Sequence, residues 1–139
     1  MLYLENENNY PIDYKKLEKI MQTLSKKDVE LLIINDNDMK SINLDQRNLD
    51  KSTDVLSFPL QDCGHTPLGS IVINYEKAKE VSKKIGHNIN DEISLLFIHG
   101  MLHLLGYDHE VDDGEMRSKE EELINRFNLP LSLIVRSDD

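Results

Sequence analysis

Residues 93–109 read ISLLFIHGMLHLLGYDH and contain the most apolar run of the chain. The apolar residues in this run surround a helix axis on almost every side, which is typical of a helix buried at the centre of a domain. His99 and His103 are four residues apart, so on a helix they share one face about one turn apart. Gly106 can adopt the left-handed conformation that ends a helix, and the chain can then fold back to bring His109 near the pair.

Three imidazoles that converge from a helix and the following turn predict a metal site. No fourth protein ligand is evident, and an open fourth position is characteristic of catalytic zinc. Burying three such rings without partners would cost several kcal/mol, whereas one shared cation satisfies all of them. We therefore expect one zinc ion per chain, although nickel and copper also fit imidazole ligands.

Length, cysteine content and charge limit the classes of protein to consider. The 139 residues predict a single domain over 1–139, and the only cysteine, Cys63, cannot form an internal disulfide. The chain shows no secretory signal, and its apolar run is too short to cross a bilayer, so we expect a cytoplasmic protein with no membrane partner. A formal net charge of -10 argues against general nucleic-acid affinity but leaves a local cationic groove open.

The hydrophobic patterns along the chain predict a mixture of strands and helices. Strands are predicted over residues 2–5, 29–35, 55–58 and 69–74. Helices are predicted over residues 13–24, 37–45, 75–85 and 114–127, in addition to the histidine helix. Asn90 is the expected N-cap of the histidine helix, and Met39, Ile42 and Leu44 are expected to face inward. The fold class is α+β (mixed α/β), a single domain with a small, mostly parallel sheet of about four strands covered by about five helices.

The motif HGMLHLLGYDH at residues 99–109 resembles the signature of the YbeY family, bacterial endoribonucleases of ribosomal RNA maturation. Arg47 followed by TDVLSFP at residues 53–59 resembles a second segment of that family, and residues 69–74 resemble a third. The first two motifs together are highly specific. One departure is visible, because the family usually has aspartate where this chain has Ser70.

The resemblance implies an activity and a set of site residues. It implies a zinc-dependent, single-strand-specific endoribonuclease that hydrolyses phosphodiester bonds in ribosomal RNA maturation (16S rRNA 3′-end processing) and in ribosome quality control. It implies that His99, His103 and His109 bind zinc and that Arg47 is the catalytic or substrate-binding cation. The implied partners are ribosomal RNA and proteins of the small ribosomal subunit, with no DNA expected.

Physical chemistry agrees with these roles. A guanidinium such as that of Arg47 can hold two phosphate oxygens in a bidentate fork while charge develops on them. Lys51 is a second candidate for binding substrate. Asp108 could orient a ligand imidazole, act as a base for an attacking water, or only stabilise its own turn. Whether water or the ribose 2′-hydroxyl attacks stays open.

Two other functions are alternatives for the same histidine motif. The first is another metal-dependent hydrolase, such as a peptidase with Asp108 or Glu110 as base; zinc peptidases of the His-Glu-x-x-His type have glutamate where this chain has Gly100. The second is a non-enzymatic ribosome-assembly factor in which zinc only stabilises the fold. His65 and His87 are expected at the surface, as is the charged run of residues 120–122.

Overall fold

The computed structural model describes residues 1–60, 66–107 and 114–130. The elements follow the order β1 (Leu2–Glu5), α1 (Tyr14–Leu24), β2 (Val29–Ile34), α2 (Asp36–Arg47), β3 (Val55–Pro59), β4 (Gly69–Asn74), α3 (Tyr75–Ile85), α4 (Ile89–Leu104) and α5 (Glu115–Phe127). The predicted α+β fold is confirmed, because five helices accompany one four-stranded sheet in these ranges. Cys63 and His65 lie outside the described residues.

The four strands form one mixed sheet in the order β1-β2-β4-β3. β1, β2 and β4 are parallel, and β3 runs antiparallel to β4 at the edge. The central strands β2 (VELLII) and β4 (GSIVIN) consist largely of branched apolar residues, as expected for strands covered on both faces. The prediction of a mostly parallel sheet is therefore confirmed.

Alternate residues of β4 face different helices. Ile71 and Ile73 belong to the large core cluster, which also contains the buried apolar residues of α1, α4 and α5. Val72 belongs to a smaller cluster with Leu56 and with Met39 of α2. Because successive side chains of a strand point to opposite faces, α4 and α2 cover opposite faces of the sheet.

The histidine helix α4 occupies the centre of the larger layer, where it contacts α1, α3, α5, β3 and β4. Leu95, Leu96, Phe97, Ile98, Met101 and Leu102 are all fully buried. At the C-terminal end, Gly106 has φ +97°, and its N–H donates to the carbonyl of His103 while that of Tyr107 donates to Leu102. These two bonds form a Schellman motif, so the predicted glycine stop is confirmed.

The predicted N-cap of α4 is wrong by two residues. Asn88 caps the helix, and its side-chain oxygen accepts the backbone N–H of Asn90 at 2.7 Å. The side chain of Asn90 has another partner, because its Oδ1 accepts the backbone N–H of Asp13 at 3.2 Å. Asp13 is itself the N-cap of α1, so Asn90 joins the starts of two helices.

Helix α2 is longer than predicted and buries a different residue. Met39 is buried as predicted, but Leu44 is 43% exposed. Asn43 is buried instead, and its Nδ2 donates to the backbone carbonyl of Lys51 at 2.9 Å. The amide thus holds the chain segment that returns from α2 to β3.

No helix in the described ranges is long and apolar enough to cross a membrane.

Candidate metal and catalytic site

The two histidines of α4 meet at their ring nitrogens. The Nε2 atoms of His99 and His103 are 3.0 Å apart, and the ring centroids are 4.6 Å apart with an interplanar angle of 76°. A tetrahedral zinc ion with bonds of about 2.0–2.1 Å holds two nitrogen ligands about 3.3 Å apart. The pair therefore fits a shared ion bound through both Nε2 atoms, with a few tenths of an ångström of adjustment.

The third predicted ligand, His109, lies outside the described residues, as do Asp108 and Glu110. Their predicted roles therefore stay predictions. Within residues 1–60, 66–107 and 114–130, no group of three potential metal-binding side chains occurs. The Schellman motif at Gly106 turns the chain immediately after the pair, which is the local reversal that the three-histidine hypothesis requires.

A buried carboxylate lies behind His99. Glu120 of α5 is fully buried, and its Oε2 is 3.7 Å from Nδ1 of His99. This nitrogen is on the opposite side of the ring from the Nε2 that approaches His103. The sequence predicted residues 120–122 as a solvated run, and for Glu120 that prediction is wrong.

The sequence does contain a signal for the burial of Glu120. Met116, Leu123 and Ile124 are the other buried residues of α5. They lie four residues before Glu120 and three and four residues after it, which is the spacing of one helix face. Glu120 thus occupies a position of the apolar stripe, whereas Glu121 and Glu122 project into solvent.

Gly100 lies on the side of α4 that contacts the sheet. An ideal Cβ placed there would be 3.0 Å from Cγ2 of Ile71 and 3.1 Å from Oγ of Ser57. The Ser57 hydroxyl also lies 3.4 Å from the Gly100 carbonyl, to which it donates. A glutamate at this position would have no room, so the general base of a His-Glu-x-x-His peptidase cannot be reproduced here.

Arg47 and Lys51 are not in contact with the histidine pair among the described residues. Arg47 lies in the last turn of α2, and both side chains are exposed. Because α2 and α4 cover opposite faces of the sheet, an RNA strand would have to pass around the sheet to contact both. The predicted roles of Arg47 and Lys51 in binding substrate stay predictions.

His87, outside the site, has a largely enclosed side chain, contrary to the surface prediction. Its Nε2 lies 2.8 Å from Oε1 of Glu92, and the two side chains are 11% and 1% exposed. The pair connects the turn before α4 to the first turns of that helix.

Ser70, at the position where the family usually has aspartate, donates to Oε2 of Glu30 on the neighbouring strand at 3.1 Å.

Asn74, the last residue of the third family-like segment, is fully buried and ties three elements together. Its Nδ2 donates to Oδ1 of Asp36 at 2.8 Å and to Oγ of Ser52 at 3.0 Å, and its Oδ1 accepts the backbone N–H of Lys77 at 3.1 Å. The hydrogen bonds from Ser52 and Asn74 lower the pKa of Asp36, because they stabilise the ionised carboxylate. Asn74 therefore has a structural role, which is to hold the starts of α2 and α3.

Fold and site together define an α+β protein with a histidine pair presented by its buried central helix. The family model described as Endoribonuclease YbeY matches residues 4–128. The chain belongs to the YbeY family, which confirms the resemblance found in the sequence.

Several relatives share most of their length with this chain. It is 53% identical over 139 residues to "Endoribonuclease YbeY" of Nautilia profundicola, with 100% of both chains covered. It is 62% identical over 122 residues to the protein of that name from Campylobacter jejuni, covering 87% of this chain and 90% of the relative. A protein from Thermotoga maritima, solved in solution, superimposes with a TM-score of 0.65 at 27% identity, covering 91% of this chain and 89% of its own.

Proposed function

We propose that this chain is a zinc-dependent, single-strand-specific endoribonuclease that matures ribosomal RNA in the cytoplasm. The proposed tasks are processing of the 16S rRNA 3′ end and ribosome quality control. The observation that carries the proposal is the 3.0 Å approach of the Nε2 atoms of His99 and His103, in a chain whose relatives are named endoribonucleases. Their names support hydrolysis of RNA, while the histidine pair supports a metal centre.

The metal would be held by His99 and His103, together with His109. When bound, zinc supplies Lewis acidity to the phosphodiester group. The protein contributes rigidity, since both imidazoles project from a helix packed on all sides by apolar residues. Because rigid ligands do not have to be reorganised during the reaction, they would lower the energetic cost of reaching the transition state.

Arg47 would bind the phosphate whose bond is cleaved or a neighbouring phosphate. Its guanidinium can donate two parallel hydrogen bonds to phosphate oxygens, and Lys51 adds a second cation in the following segment. Since Arg47 lies at the end of α2 and the histidine pair on α4, the RNA strand would pass around the sheet to reach both. Such a path favours a flexible single strand, because a duplex is too stiff to bend over so short a distance.

The net negative charge of the chain bears on where the enzyme would bind its RNA substrate. A net charge of -10 repels polyanions at long range. Contacts with proteins of the small ribosomal subunit would offset this repulsion, so the enzyme acts best on the particle. We expect low activity on short naked oligonucleotides; tight, salt-insensitive binding of these would contradict the proposed docking.

The test combines metal analysis with cleavage of ribosomal RNA. His103→Ala should lose both bound zinc and activity, since it removes one of two adjacent ligands. Arg47→Ala should retain zinc and lose about 100-fold or more in rate, as expected for a donor to developing charge. Arg126→Ala is the matched control, because Arg126 is also an exposed arginine in the last turn of a helix. Full activity of zinc-free His103→Ala would refute the proposal.

Three further measurements separate the remaining alternatives. If zinc only stabilised the fold, chelation would unfold the protein, whereas we expect the chelated protein to stay folded and inactive. Analysis of product ends identifies the nucleophile: water attack would usually leave a 5′-phosphate, and attack by the 2′-hydroxyl a cyclic phosphate. Peptide hydrolysis that His103→Ala abolished would instead support a peptidase.

A further inference from the structure

Two glutamates are fully buried among the described residues, and each lies next to a histidine. Glu92 lies 2.8 Å from His87, and Glu120 lies 3.7 Å from His99. Transfer of a carboxylate from water into an apolar core costs several kcal/mol unless a charged or hydrogen-bonding partner compensates. A glutamate on the inner face of α5 is therefore stable there only with such partners, and His99 is one of them.

The direction of the contact shows which nitrogen of His99 the carboxylate approaches. Glu120 approaches Nδ1 of His99, while Nε2 of the same ring approaches His103. A neutral imidazole carries its proton on one nitrogen only, so a carboxylate at Nδ1 favours the tautomer protonated there. That tautomer leaves the Nε2 lone pair free to bind a metal ion.

We propose that Glu120 is the positioning residue of the metal centre: it selects the His99 tautomer and orients the ring so that Nε2 binds the ion. This inference rests on the proposed zinc site. The present separation of 3.7 Å is longer than a hydrogen bond, and a shift of about 0.8 Å closes it. A bound dication would draw electron density from the ring, so the N–H at Nδ1 would be a stronger donor, and the apolar surroundings would strengthen its bond to the carboxylate.

The decisive variant is Glu120→Gln, which keeps the shape of the side chain and removes its charge. Competition with a chromophoric chelator should show zinc binding about 10- to 100-fold weaker than in the wild type, the usual effect of losing such a partner. The amide of glutamine can also rotate and donate to Nδ1, which would favour the wrong tautomer.

The unfolding free energy of the metal-free protein separates positioning from a structural role. Burial of a neutral amide costs less than burial of a carboxylate of the same size, so metal-free Glu120→Gln should be at least as stable as the wild type. Zinc should then stabilise the variant less than it stabilises the wild type. Weaker metal-free folding together with unchanged zinc affinity would assign Glu120 a structural role and overturn the proposal.

Two control variants isolate the effect. Glu121→Gln removes the same charge from the neighbouring exposed position, where the side chain is 53% exposed. Glu92→Gln alters the other buried carboxylate-histidine pair, at the opposite end of α4. Both should leave zinc affinity within about twofold of the wild type. An equal loss of affinity in Glu92→Gln would show a general packing effect and overturn the assignment.

Nitrogen NMR of the zinc-loaded wild type keeps the proposal testable even if Glu120→Gln does not fold. The spectrum should show His99 with its proton on Nδ1 and the metal on Nε2; coordination through Nδ1 overturns the inference. If the wild type binds no zinc through His103, the proposed function fails together with this inference. If it binds zinc and Glu120→Gln binds equally well, only this inference fails.

Discussion

Replacing Gly100 by alanine tests how closely α4 approaches the sheet. The new Cβ would lie 3.0 Å and 3.2 Å from the two terminal methyl groups of Ile71 and 3.1 Å from Oγ of Ser57. Ile71 is fully buried on β4, which has a hydrogen-bonded strand on each side. Relief requires the side chains of Ile71 and Ser57, or the helix itself, to shift by a few tenths of an ångström, and the tight packing around the buried Ile71 resists this shift.

The magnitude follows from two opposing effects. Alanine in a helix interior is favoured over glycine by about 1 kcal/mol. An extra carbon in a well-packed core costs about 1–3 kcal/mol, and contact with two methyl groups of a central strand places Gly100→Ala in the upper part of that range. We expect a net loss of about 1–2 kcal/mol in unfolding free energy, or a decrease in Tm of about 3–6 °C.

Urea denaturation of the metal-free protein measures this loss without any contribution from zinc. The control is Ile71→Val, which removes the methyl group at 3.2 Å. The double variant should lose less than the sum of the two single variants, with a coupling of about 0.5 kcal/mol or more. A Gly100→Ala protein as stable as the wild type, or more stable, would show that helix propensity dominates and would refute the packing argument.

Three further predictions concern the described contacts. Ser52→Ala removes a hydrogen-bond donor to Asp36, so the pKa of Asp36 should rise toward its ordinary value in an NMR titration. Because folding lowers this pKa, the ionised carboxylate stabilises the wild type at pH values above the unfolded-state pKa. That stabilisation is lost as the pH falls through the folded-state pKa. Gly106→Ala should cost about 1–2 kcal/mol by urea denaturation, since alanine resists a φ of +97°; an unchanged midpoint would contradict this. His87→Ala should cost about 1–3 kcal/mol, because the buried carboxylate of Glu92 loses a hydrogen bond; a thermal scan matching the wild type would contradict it.

Local sequence signals predicted the elements well where the turn residues are unambiguous. Strands β1 and β4 and helix α3 have the predicted bounds, 2–5, 69–74 and 75–85. Gly86, which ends α3 with φ +87°, and Gly106 are detectable because their conformations suit glycine. The spacing of His99 and His103 likewise predicts that both rings share one helix face.

The errors occur where two local solutions were equally good. Asn88 and Asn90 are both acceptable N-caps, and the contact of Asn90 with Asp13 decided between them. Leu44 has the hydrophobicity of a core residue, but Asn43 is buried instead, because the backbone carbonyl of Lys51 accepts a hydrogen bond from its amide. Such choices depend on partners distant in sequence, which hydrophobic periodicity does not report.

By itself, the sequence determined the buried histidine helix, its glycine stop, the strands and the family, because these depend on residue spacing and motif composition. Tertiary structure decided the strand order, the placement of α2 and α4 on opposite faces, and the burial of Glu120 behind His99. The physical reason is that backbone hydrogen bonds set the number of residues per helical turn, whereas packing against residues distant in sequence sets the orientation of a helix about its own axis. A rotation of α5 would have left Glu120 in water.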